Sequence, residues 1–138
     1  MKILSLILTL LLLASNQIGK PYRYATAGPN SYDCSGLAVY CYQEVFDINL
    51  PRSAKDIGYC DDYETIKEIA DLKMGDILCF NTNKSDSDIS DHIGIYLGDG
   101  TFIHASSAKG KVLVSPLTEG YYHDRLSWGK RIVDWDSD

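Results

Sequence analysis

The sequence predicts an α+β domain in which N-terminal helices pack on a C-terminal antiparallel β-sheet. Three observations lead there. After Asp33, apolar residues recur at Leu37, Ala38, Cys41 and Val45, a three-to-four spacing that gives a helix one apolar face. From Asp76 onward the period changes to short apolar runs broken by turn residues, and Gly98-Asp99-Gly100 between two such runs reads as a hairpin loop. The 138 residues contain no repeat and no linker, and 45% hydrophobic against 23% charged residues suits one globular domain. Helices first and hairpin-linked strands second make an α+β arrangement.

The chain begins Met1-Lys2 and continues with an apolar run to Ala14 that only Ser5 and Thr9 interrupt. One positive residue followed by about a dozen apolar ones has the shape of a secretory signal peptide. Residues 1–15 are therefore expected to be a leader and residues 16–138 the domain, secreted or periplasmic and without a stable membrane anchor. The alternative is a buried first helix with Gly19 as its C-cap.

Residues 20–32 hold Pro21, Gly28 and Pro29 and should be looped and extended. A helix is expected from Cys34 to about Phe46, with Asp33 as N-cap. Pro51 closes the connection that follows, Ser53 opens a short second helix, and residues 64–69 suggest a third helical patch. Strands are expected at residues 76–80, 92–97, 101–105, 112–114 and 131–133. Between the first two lies a polar segment with Asp86, Asp88 and Asp91. A calcium loop starting at Asp86 would need Gly and Glu where Asp91 and Leu97 stand, so a solvated surface loop is expected.

A net charge of −6 with no basic cluster argues against nucleic acid as a partner. The four cysteines, Cys34, Cys41, Cys60 and Cys79, form no Cys-x-x-Cys pair. Cys41 and Cys79 fall in apolar patterns and read as core. Cys34 stands at the first helical position, where the helix dipole and unpaired amides favour a thiolate. A small buried cysteine is the competing interpretation.

His92 and His104 flank the hairpin. With a three-residue loop at Gly98-Asp99-Gly100, Leu97 faces Thr101 and His104 lies opposite Gly94, diagonal to His92 on one face. Ile93, Ile95, Leu97 and Ile103 then form the opposite, core-facing side, and Gly94 leaves room beside the imidazoles. Two histidines on one face with one activated thiol meet the needs of acyl transfer through a thioester. Zinc held by Cys34, His92 and His104 is the competing chemistry; the position of Cys34 is better explained by a nucleophile, and no metal is expected. His123, between Tyr122 and Asp124, reads as a surface residue.

Six stretches in this order resemble the NlpC-type cell-wall cysteine peptidases. They are Ile18-Gly19-Lys20-Pro21-Tyr22-Arg23-Tyr24, Asp33-Cys34-Ser35-Gly36-Leu37, Leu50-Pro51-Arg52-Ser53, and Leu72-Lys73-Met74-Gly75-Asp76-Ile77, followed by residues 92–100 and 102–106. The resemblance implies a papain-like fold and a peptidase of peptidoglycan stem peptides, cutting between γ-D-glutamate and a diamino acid. It implies Cys34 as nucleophile, His92 as base and acid, His104 as the residue that orients His92, and Tyr22 near the reacting carbonyl. Asp33, Ser35 and Ser53 match positions lining the substrate side of the cleft, the aspartate receiving a free α-amine; helix capping is the simpler role for Asp33 and Ser53. No cofactor is implied, the partner is the peptidoglycan substrate, and a monomer is expected. Ala25-Thr26 departs from the two glycines often found there, which reshapes one wall of the cleft. An amidase or amide acyltransferase on the same scaffold, or a silent peptidoglycan-binding domain, are the competing functions.

Overall fold

A computed structural model describes residues 2–84 and 89–136. Helix α1 (Ile3–Ser15) is followed by a looped segment, helix α2 (Cys34–Phe46) and a short α3 (Ala54–Gly58). Strand β1 (Glu64–Ile66) and a 3₁₀ turn (Ile69–Asp71) lead into β2 (Ile77–Phe80), β3 (His92–Tyr96), β4 (Thr101–Ser106) and β5 (Lys111–Pro116). A one-turn helix α4 (Tyr121–Arg125) runs directly into β6 (Leu126–Arg131). The six strands form one sheet in the order β1-β6-β2-β3-β4-β5, with every neighbouring pair antiparallel. The α+β arrangement expected from the sequence is the one observed.

Alternation along the strands splits the sheet into two faces. Ile77, Cys79, Ile93, Ile95, Ile103 and Ala105 point at the helices and join Leu37, Ala38, Cys41 and Tyr42 in the main core. Leu78, Phe80, Tyr96, Phe102 and Leu117 form a smaller apolar cluster with Tyr122 and Leu126 packed against it. Cys41 and Cys79 are fully buried, as their apolar settings predict.

Helix α2 starts as read from the sequence. Asp33 Oδ1 accepts from the Gly36 amide at 2.7 Å, and Asp47 in the left-handed conformation ends the helix. The hairpin register also holds: Ile95 pairs with Ile103 and Tyr96 with Phe102, and the Leu97 amide reaches the Thr101 carbonyl across the three-residue loop.

Two expectations are corrected at the sheet edge. Residues 64–69 are not helical: Glu64–Ile66 pairs with β6 as an edge strand, and a 3₁₀ turn follows. The last strand is Leu126–Arg131, earlier than residues 131–133. Its apolar alternation is hidden by Lys130, which is nonetheless buried because its ammonium donates to the carbonyls of Cys60 and Tyr63 and to Thr65 Oγ1, the last at 2.8 Å. Arg131 next to it forks onto buried Asp76, at 3.0 and 2.7 Å.

The apolar N-terminal run forms α1. Its inner face, Ile7, Leu10 and Ala14, is fully buried, while Leu4, Leu8 and Leu12 remain about half exposed. Gln17, just past its end, accepts from the Tyr32 hydroxyl at 2.8 Å and from Lys20 Nζ at 2.7 Å. No helix among the described residues is long and apolar enough to cross a membrane. Asp86 and Asp88 of the expected surface loop lie outside the described residues.

Candidate active site

The site forms where the N-terminus of α2 meets the start of β3. Gly36 makes the approach tight: a Cβ there would sit 2.1 Å from the Thr26 carbonyl oxygen. That carbonyl takes the Asp33 amide at 2.9 Å, so the loop carrying Tyr22 and Tyr24 lies directly on the helix start. Ala25 in this loop has φ +62°, the left-handed region that glycine occupies at lower cost. Ala25, where the resemblance implies a glycine, thus holds a backbone geometry that favours glycine.

Cys34 Sγ lies 4.0 Å from the Asp91 carbonyl oxygen, one residue before His92. The backbone amides of Ile93 and Ser35 favour its thiolate, but burial is the larger influence, and Asp33 and Asp91 add to it, so the thiol is pushed up from its ordinary value. The expectation of a thiol lowered by the helix start is corrected: the amides are present and desolvation outweighs them.

The histidines meet as the diagonal register requires. His92 Nε2 and His104 Nδ1 are 2.8 Å apart. His104 Nε2 is in turn 2.8 Å from Ser115 Oγ on β5. Burial pushes the His92 imidazole down to about 4, against a pull upward from Asp91. Burial, reinforced by His92, pushes His104 down to about 3. Burial thus favours the uncharged form of both groups, the Cys34 thiol and the His92 imidazole. The rings are enclosed by aromatics: Tyr122 stacks on His92 with centroids 5.9 Å apart and meets His104 edge-on at 4.9 Å, and Phe102 lies 4.7 Å from His104. The open space expected beside Gly94 is filled by Phe102, whose Cδ2 lies 2.5 Å from where a Cβ would be.

A cleft of about 490 Å³ brings Tyr22, Asp33, Cys34, Ser35 and Ser53 together, with Tyr24, Arg52, Lys55, Ser90 and Asp91 completing its walls. Burial and the neighbouring Cys34 and Asp33 raise the Tyr22 phenol, so it stands protonated beside the thiol. Asp33 is held by Arg52, whose Nη1 and Nη2 reach its two oxygens at 3.0 and 2.8 Å. The same Nη1 donates to Ser35 Oγ at 2.9 Å. Ser53 caps α3, accepting from the Asp56 amide at 3.1 Å, and lines the cleft as well. His123 is half exposed, pairs with Asp124 and does not line the cleft.

Four residues of the site were not singled out from the sequence. Arg52 stood within the Leu50-Pro51-Arg52-Ser53 stretch without a role. Asp91 was read as a loop residue; its carboxylate accepts from Thr82 N, Thr82 Oγ1 and Asn83 N and fixes the approach to β3. Ser115 needs the β4–β5 register, in which His104 pairs with Leu113 and Ser115 is the diagonal neighbour. Tyr122 needs α4, a single turn that no periodicity announces.

A profile of the NlpC/P60 family matches residues 19–131. The murein DD-endopeptidase MepH of Escherichia coli (strain K12) is 34% identical over 118 residues, which are 85% of this chain and 42% of MepH. The gamma-DL-glutamyl hydrolase of Bacillus subtilis (strain 168) is 36% identical over 121 residues, 86% of this chain and 27% of that protein. The crystal structure of a Staphylococcus aureus protein of the NLP/P60 family, described as similar to lipoprotein, superposes with a TM-score of 0.79 at 27% identity, covering 94% of this chain and 42% of that one. This chain spans less than half the length of each of these relatives.

Proposed function

The chain belongs to the NlpC/P60 family, and on that premise we propose that it is a cysteine endopeptidase of peptidoglycan stem peptides. The observation that carries this reading is that Cys34, on the cleft wall, meets the backbone at the start of β3, where His92 stands with its Nε2 held by His104. His92 Nε2 is turned to His104, which leaves Nδ1 as the nitrogen to take the thiol proton. The thiolate attacks the scissile carbonyl as His92 takes that proton. The Tyr22 hydroxyl and the Cys34 amide are the donors for the oxyanion. His92 then returns the proton to the leaving amine, and a thioester remains on Cys34. A water molecule, deprotonated by His92, hydrolyses the thioester and restores the thiol. The chemistry requires no cofactor.

The bond assigned is the one between γ-D-glutamate and the diamino acid, meso-diaminopimelate or lysine. The name of the Bacillus subtilis relative favours it. The name of MepH favours a second reading, cleavage of D,D cross-links between stems. Such a substrate lies outside the cytoplasm; the leader-like composition of residues 1–15 favours export, and cleavage there would take the buried Ile7, Leu10 and Ala14 of α1 out of the core. The protein works as a monomer on this reading.

Mass spectrometry of purified muropeptides, incubated with the wild type and with Cys34→Ala, tests the assignment. Loss of intact tri- and tetrapeptide stems with new dipeptide-bearing glycan, in the wild type alone, supports it. Conversion of cross-linked dimers to intact monomers selects the D,D bond. Naked glycan with whole free stems identifies an amidase and overturns the endopeptidase reading.

A further inference from the structure

His104 is engaged at both ring nitrogens, with His92 Nε2 at 2.8 Å on one side and Ser115 Oγ at 2.8 Å on the other. A neutral imidazole carries one N–H and one lone pair, so the two contacts have linked directions. If His92 is to use Nδ1 as a base, its proton sits on Nε2 and points at His104 Nδ1. That nitrogen must then accept, which puts the His104 proton on Nε2, aimed at Ser115 Oγ. In the reverse arrangement the Ser115 hydroxyl donates to Nε2, the His104 proton moves to Nδ1, and His92 must accept at Nε2. The His92 proton is then on Nδ1, and the lone pair needed for the Cys34 proton is gone.

We propose that Ser115 is a positioning residue: its oxygen accepts from His104 Nε2–H and so fixes the tautomer of both histidines with the His92 Nδ1 lone pair free. The sheet delivers this geometry. Ser115 and His92 flank His104 as diagonal neighbours, one across β4–β5 and one across β3–β4. His104 is 1% exposed and Ser115 is 8% exposed, so water is a poor substitute for the hydroxyl. Asp91 acts on His92, and the Tyr122 ring packs on both imidazoles. Neither is a contact that sets the proton on His104 Nε2.

The proposal rests on the endopeptidase reading, and its test has a part that does not. In ¹⁵N-histidine spectra of the whole protein at neutral pH, His92 and His104 are both expected as Nε2–H tautomers. Ser115→Ala is expected to disturb both assignments, and Ser115→Thr to restore them. In kinetics, Ser115→Ala lowers kcat about tenfold or more with KM within about twofold, shifts the acid limb of the pH–rate profile, and is rescued by Ser115→Thr. An Nδ1–H tautomer for either histidine in the wild type overturns the proposal. So do unchanged spectra and kcat in Ser115→Ala, or an equal loss in Ser115→Ala and a well-folded Ser115→Thr. A wild type that cleaves no muropeptide overturns the endopeptidase reading, and the spectra still decide the role of Ser115.

Discussion

Arg52 grips both carboxylate oxygens of Asp33, and the nitrogen that reaches Oδ1 at 3.0 Å also reaches Ser35 Oγ at 2.9 Å. The cleft wall that carries Asp33 and Ser35 is thus already organised around a cation. Arg52 is about half exposed, so the pair contributes at most about 1 kcal/mol to stability. Its effect falls on the orientation of two cleft residues. Arg52→Lys keeps the charge and loses the fork. Muropeptide KM is expected to rise about three- to tenfold, a loss of up to ~1.4 kcal/mol of binding, with kcat within about twofold; steady-state kinetics check it.

Cys34→Ala should abolish turnover, by about 10⁴-fold or more, with an unchanged circular dichroism spectrum and melting curve. Because burial raises the Cys34 thiol, alkylation in the wild type should be slow at neutral pH and climb through the alkaline range. Peptide mapping by mass spectrometry separates its modification from that of partly exposed Cys60.

Stability should fall as the medium is acidified below about 6.5. Above that pH both folded and unfolded histidines are neutral. Below it the unfolded chain takes up protons that native His92 and His104 refuse until about 4 and about 3. The loss therefore accumulates from pH 6.5 downward and levels off near those values. Asp76, raised by burial, acts in the opposite sense in the carboxylate range. Urea midpoints measured across pH 7 to 3 should show this slope, flattened in a variant with both histidines replaced by Gln.

Ala25→Gly should stabilise the fold by about 0.5–1 kcal/mol, since φ +62° costs alanine more than glycine and the gain is partly offset by the freer unfolded chain. Thermal unfolding measures it. A destabilised variant would show that the Ala25 methyl makes contacts worth more than the backbone relief.

A chain of residues 16–138 should be less stable than the whole by about 4 kcal/mol, because α1 fills the core with Ile7 and Leu10. Comparative denaturation of the two chains tests this. Mass spectrometry of the protein recovered from producing cells would show which of the two chains is present.

The parts of the site legible in the sequence were those fixed by local rules. Asp33 announces a cap, the spacing after it announces α2, and a three-residue loop determines that His92 and His104 share a face. What stayed hidden depends on pairings distant along the chain. Ser115 has no pattern of its own until β5 is set against β4. Strand β6 is hard to place from sequence because Lys130 breaks its apolar alternation; the carbonyls of Cys60 and Tyr63 and the Thr65 hydroxyl accommodate that lysine. The thiol was misjudged for a similar reason: the helix start is visible in sequence, and the burial that outweighs it is not.

Cys34 belongs to a helix and His92 to a strand, and the main core lies between those two elements. Their separation is therefore not a property of either element but of how α2 seats on the sheet. Any loosening of that seat, by a smaller side chain at Ile93 or Ile103 for example, parts Cys34 from His92 before any hydrogen bond of helix or strand is broken. Catalysis in such a domain is a more sensitive gauge of interior packing than any spectroscopic signal of secondary structure. On heating, activity should be lost first and the fold only afterwards.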